Sequence, residues 1–140
     1  MRALTLWQPW ASAIPRGWKQ FETRGRLTHV RGQLAIHAAA RWGKEQKAFC
    51  EGLKRQHEPY PINLPFSAIV AVVDLVDCIP VEDVPYSGLE WTWGNFAPGR
   101  YAWQLDNVQE LAEPVPCSGS QGFWFTSEAV ERQVLEQIDV

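Results

Sequence analysis

The stretch "SAIVAVVDLVDC", residues 67–78, leaves the fewest choices of fold. Ile69, Val70, Val72, Val73 and Val76 are β-branched, stiff at χ1 and suited to a pleated backbone. Polar residues do not alternate with them until Asp74, which predicts a strand covered on both faces. The sheet that holds it must therefore carry packing on each side.

Other strands are short. "RALTLW" reads as the first, with Leu4 and Leu6 on one face, and Pro9 suits the first position of a short helix. Trp10, Ala13 and Ile14 in that helix have the i, i+3, i+4 spacing of a core-facing stripe, and Pro15 and Gly17 end it. "KQFETR", "GQLAIHAAA", "RYAWQL" and "QGFWFT" read as further strands. Residues 44–56 form a surface helix with an apolar stripe of Ala48, Phe49 and Leu53. Three prolines in "EPYPINLP" forbid regular structure there. Residues 80–99 read as a long irregular segment, of a length more often functional than idle. A last helix opens at Ser127, its N-cap, and buries Val130, Val134 and Ile138. The strands do not alternate with long helices, which excludes a doubly wound parallel sheet. The expectation is a small, mostly antiparallel β-barrel of five or six strands with two to four short helices, one domain over residues 1–140.

No apolar run reaches the ~18 residues of a membrane span, and no cleavable leader is evident, so a soluble, cytoplasmic protein is expected. Cys50, Cys78 and Cys117 are isolated, without a CxxC pair. His29, His37 and His57 lack metal-ligand spacing, so neither a metal nor a cofactor is indicated. The net charge of −3 hides an asymmetry: residues 1–57 carry +8 and residues 58–140 carry −11. If the halves separate in space, the first forms a phosphate-attracting surface; if they interleave, the fields cancel.

In "GWKQFETRG", residues 17–25, strand alternation puts Lys19, Phe21 and Thr23 on one face and Gln20, Glu22 and Arg24 on the other. Lys19 meets Glu22 only if the chain bends after Gly17. A lysine beside a carboxylate and a hydroxyl can do acid–base chemistry. An edge strand with a Glu22–Arg24 surface pair explains the same residues. Trp7, Trp10 and Trp103 lie on core-like stripes. Trp91 and Trp93 are either base-stacking platforms or loop anchors. His37 reads as a buried, hydrogen-bonded residue or a ligand group. Arg100 can grip a phosphate or close its loop onto Glu90.

Five separated segments, "LTLWQPWASAI", "GWKQFETR", "RGQLAIHAA", "AIVAVVDLVDC" and "GNFAPGRYAWQLDNV", resemble the ASCH domain, a relative of the PUA fold, from about Leu4 to Trp124. The resemblance implies a small barrel with a cleft between it and the first helix. It also implies binding of RNA or a nucleotide, with Trp7, Gln8, Trp10, Ser12, Arg24, His37 and Arg100 as ligand-binding residues. Some small members look like amidohydrolases that remove the acetyl group from N4-acetylcytidine, another is a ribonuclease, and a related coactivator domain binds DNA. Lys19 matches the lysine of the family's G-x-K-x-x-E/T-x-R segment. The position of the amidohydrolases' threonine nucleophile holds Glu22 here, with Thr23 one place later. Hydrolysis would then use Glu22 to activate water, Lys19 to stabilise the oxyanion, Thr23 to assist and Glu90 as the distal acid. Pro15 falls where relatives continue the helix.

Overall fold

The computed structural model describes residues 1–85 and 88–138. Within them the strands are β1 (Arg2–Leu6), β2 (Phe21–Arg24), β3 (Gly32–Ala38), β4 (Ala68–Pro80), β5 (Tyr101–Pro116) and β6 (Phe123–Phe125). The α-helices are α1 (Trp10–Ala13), α2 (Lys44–Arg55), α3 (Gly88–Trp93) and α4 (Glu128–Leu135). The strands form one mixed sheet in the order β2-β5-β4-β3-β1-β6. All described pairings are antiparallel except β1 with β3, where Leu4 sits opposite Ile36. The sheet curls into a half-barrel whose edges, β2 and β6, do not pair with each other.

The apolar run behaves as its composition requires. Ala68 to Val73 are all buried, and the central strand β4 separates two cores. Because successive strand residues point to opposite faces, Leu4, Ile36, Val73 and Leu105 fill the concave core with Ala11 and Ile14 of α1. Ala3, Ala35, Val72 and Val115 fill the convex core with Val134 and Ile138. Ser127 caps α4 by accepting a hydrogen bond from the Val130 N–H. β5 continues eleven residues beyond the end of "RYAWQL", and irregularities in register let the long β4–β5 pair bend.

Three expectations change. Pro9 precedes α1 instead of opening it. In α2, Ala48 is exposed, and Gln46 is buried beside Leu53. The segment 80–99 is not an irregular loop: it holds a 3₁₀ turn, Val81–Asp83, and α3, with residues 86 and 87 outside the described set. Helix α3 folds inward because Trp93 completes a third core with Ala13, Leu53, Trp10, Trp18 and Phe49. That core joins α1, α2 and α3 and places the ends of α1 and α3 beside β2. No described helix is long and apolar enough to cross a membrane.

Candidate functional site

Gly17, at φ +78°, turns the chain sharply after α1. The Lys19 N–H then donates to the Ala13 carbonyl, and β2 begins only at Phe21. Lys19 therefore escapes strand alternation. Its ammonium, 2% exposed, lies 3.3 Å from Glu22 Oε1 and donates to the Trp93 carbonyl at 3.0 Å. The other carboxylate oxygen, Glu22 Oε2, accepts from Arg24 Nε at 3.0 Å. Arg24 also reaches the Thr5 carbonyl at 3.4 Å and lies over the Trp103 ring, 5.5 Å from its centroid. The surface pair and the lysine–glutamate pair thus coexist, with one carboxylate held between two cations.

These groups border an open cleft of about 1610 Å³. Its walls come from β2 and residues 25–30, the ends of β1 and β3, the end of α3, and residues 118–122 before β6. Five basic side chains among the described residues line it, Lys19, Arg24, Arg26, Arg41 and Arg100, against one carboxylate, Glu22. The charge asymmetry of the sequence therefore survives folding here: four of these five cations come from the first 57 residues. Cations with low-dielectric walls around them focus a positive potential that attracts anions.

Of the residues expected at the site, Trp7, Trp10, Lys19, Glu22, Thr23, Arg24, His37 and Arg100 border the cleft. Gln8, Ser12 and Glu90 do not. Gln8 and Ser12 are buried against each other, with Gln8 Nε2 donating to Ser12 Oγ and the Pro65 carbonyl and Gln8 Oε1 accepting from the Ser12 N–H. They tie the four-residue α1, too short to be stable alone, to the proline-rich segment. Glu90 is a buried anchor: its oxygens accept from the Gln20 N–H at 2.8 and 3.0 Å and from the Phe21 N–H at 3.1 Å. Burial pushes its carboxyl above the usual range, opposed by those two N–H groups and by the charge of Lys19. Arg100 does not pair with Glu90; it donates to the Asn95 and Thr23 carbonyls and closes its own loop. The Thr23 hydroxyl accepts from the Asn95 N–H at 2.9 Å, which fixes the same loop.

The aromatic assignments shift as well. Trp7 is 43% exposed, because β1 ends at Leu6 and releases it from the core stripe. Trp10 is half-buried and stacks on Phe49 at 4.9 Å. Trp93, fully buried, is a core residue that touches the cleft wall, and Trp91 packs against Phe96 away from it.

His37 is buried and tied at both ring nitrogens. Nε2 lies 2.8 Å from the Cys117 carbonyl and Nδ1 lies 3.1 Å from Thr5 Oγ1. A carbonyl can only accept, so Nε2 carries the proton. Thr5 Oγ1 accepts from Trp124 Nε1 at 2.9 Å and gives its own proton to Nδ1. Burial favours this neutral form and holds the imidazole below its ordinary pKa, only partly opposed by the Cys117 carbonyl. Neither nitrogen is free for acid–base work. Sequence reasoning missed Arg26, His29, Arg41 and residues 118–122 as wall residues. The first three lie in irregular segments without periodicity, and the last carry no charge; their one signal was the Gly/Ser-rich "SGSQG".

The ASCH domain family model matches residues 4–115. The chain belongs to the ASCH domain family. Among curated proteins, this ASCH chain is 28% identical over 126 residues to Activating signal cointegrator 1 of Homo sapiens, and 28% identical over 130 residues to its Mus musculus counterpart. Each alignment covers 86% of this chain but only 21% of the relative, so the chain spans about a fifth of their length. Among solved structures, ASCH from Zymomonas mobilis superposes with a TM-score of 0.56 at 14% identity, covering 96% of this chain and 93% of that one. A point mutant of the Zymomonas mobilis protein gives 0.56 at 12% identity, with 96% of each chain covered. Likeness at that identity establishes the ASCH fold alone.

Proposed function

We propose that the protein binds RNA or a nucleotide in the cleft between the half-barrel and α1. The observation that carries this reading is the wall itself, five cations around one carboxylate that two of them already neutralise. Such a wall favours a polyanion even though the chain is net negative. Trp7, exposed beside the cations, offers the flat apolar face that an unpaired base requires. Arg26 and Arg41 are exposed cations with no ion pair among the described residues. They supply attraction without a structural duty. Fluorescence anisotropy with a short labelled single-stranded RNA tests the reading. Affinity should fall with added salt, and Arg26→Ala and Arg41→Ala should each reduce the salt slope by about 1 while leaving the melting curve unchanged. No binding at low salt rejects it.

A second reading, an amidohydrolase acting on an N4-acetylcytidine-type nucleoside, is favoured by the nearly inaccessible Lys19–Glu22 pair. Glu22 would take a proton from water as the oxygen attacks the acetyl carbonyl, with Lys19 stabilising the oxyanion. The proton would then pass to the departing amine, leaving acetate and cytidine. The Thr23 hydroxyl is engaged by Asn95 and plays a supporting part only. Incubation with N4-acetylcytidine decides: cytidine formed by the wild type and not by Glu22→Gln supports hydrolysis, and turnover unaffected by that change removes Glu22 from the chemistry. A ribonuclease on single-stranded RNA draws no support from His37, whose two ring nitrogens are both engaged.

A further inference from the structure

Residues 118–122, Ser-Gly-Ser-Gln-Gly, form a stretch of cleft wall whose polar groups have no hydrogen-bond partner among the described residues. All five are exposed, all border the cleft, and no hydrogen bond among the described residues uses a donor from any of them. The preceding carbonyl, of Cys117, is pinned by His37. A Cβ on Gly119 would lie 2.6 Å from the His37 ring and from Thr5 Oγ1, so the segment rests directly on that buried pair. Thr5 also connects it to Arg24, whose Nη2 reaches the Thr5 carbonyl. Arg24 is aimed by Glu22, by Thr5 and by the face of Trp103, which stacks on Phe123 immediately after the segment. Of the five guanidinium N–H donors, only those on Nε and Nη2 have partners; Nη1 has none among the described residues.

We propose that the 118–122 segment and Arg24 form a phosphate site, in which backbone N–H groups and the Ser118 and Ser120 hydroxyls share a phosphate oxyanion with the guanidinium. This inference rests on the cleft being the ligand site and names the group it grips. The phosphate can be the terminal group of a mononucleotide or an internal phosphodiester of a strand.

Amide NMR spectra of the ¹⁵N-labelled protein, titrated with inorganic phosphate, uridine, uridine 5′-monophosphate and the dinucleotide UpU, test it. The expected result is a saturable shift of the 118–122 amides with a phosphate-bearing nucleotide, and at least tenfold tighter binding of that nucleotide than of uridine. Ser120→Asp, a change at an exposed side chain, should erase that gain. A response to UpU and not to the monophosphate supports the site with a strand as the source; the opposite response supports it with a terminal phosphate. If uridine binds as tightly as both nucleotides and the 118–122 amides stay still, the phosphate site is wrong and the cleft survives as a nucleoside site. If inorganic phosphate gives only weak, unsaturable shifts spread over surface lysines and neither nucleotide moves the 118–122 amides, that is an adventitious ion only, and it overturns the proposal. If no uridine-containing ligand moves any cleft residue, the ligand-binding reading fails first and this inference falls with it.

Discussion

Removing the Glu90 side chain should cost more stability than any surface substitution in this chain, although Glu90 contributes nothing to the cleft wall. Its carboxylate satisfies two backbone N–H groups, of Gln20 and Phe21, where the chain leaves α1 and enters β2. A hydrogen bond to a charged acceptor contributes roughly 1.5–3 kcal/mol. Glu90→Ala orphans both donors and leaves Lys19 with less counter-charge, for a loss of about 3–5 kcal/mol. That is a large part of the ~5–15 kcal/mol by which domains are stable. Glu90→Gln keeps one oxygen able to accept from both donors and should cost about 1–2 kcal/mol. The pH dependence separates charge from shape. Burial raises the folded-state carboxyl above its ordinary value of 4.5. The folded state therefore holds the proton more tightly than the unfolded chain, and wild-type stability falls as pH rises from that ordinary value through the raised one. Glu90→Gln should lose this slope. Urea unfolding followed by tryptophan fluorescence at several pH values reads both effects. An alanine variant within 1 kcal/mol of wild type, or a glutamine variant that keeps the slope, would refute the anchor argument.

Further expectations concern the cleft and its support. Trp7→Ala should weaken single-stranded RNA binding by about 1–3 kcal/mol in a filter or anisotropy assay while barely moving the melting temperature, since the ring is nearly half exposed. His37 is held neutral by burial, so its folded pKa lies below the ordinary 6.5. It should contribute stability that is present above 6.5 and lost as pH falls through the depressed value; a His37→Gln variant with an unchanged acid limb in its melting profile would contradict this. Gly119→Ala puts a methyl 2.6 Å from His37 and Thr5, an overpacking expected to cost about 1–3 kcal/mol in denaturant titration.

What was readable in the sequence divides along physical lines. The buried run of β4, the N-cap at Ser127 and the bend at Gly17 are local signals, and each holds in three dimensions. The Lys19–Glu22 encounter followed from the bend, and the basic cleft from the uneven charge. Glu90 was misplaced because its partners are 69 and 70 residues away in the chain, a distance no periodicity reports. Trp7 leaves its core-like stripe, and Trp93 takes the anchoring one of its two readings, for a related reason. One falls a single residue past the end of β1, and the other is drawn into a core shared by three helices. The 118–122 segment went unnoticed because it is built of small uncharged residues without periodicity.

A crystal structure of the protein with a short oligouridylate tests the central claim most directly. The account predicts a base against Trp7 and phosphate oxygens within reach of Arg24 inside the cleft. RNA bound on another face, or an empty cleft under conditions where binding is measured in solution, would contradict it.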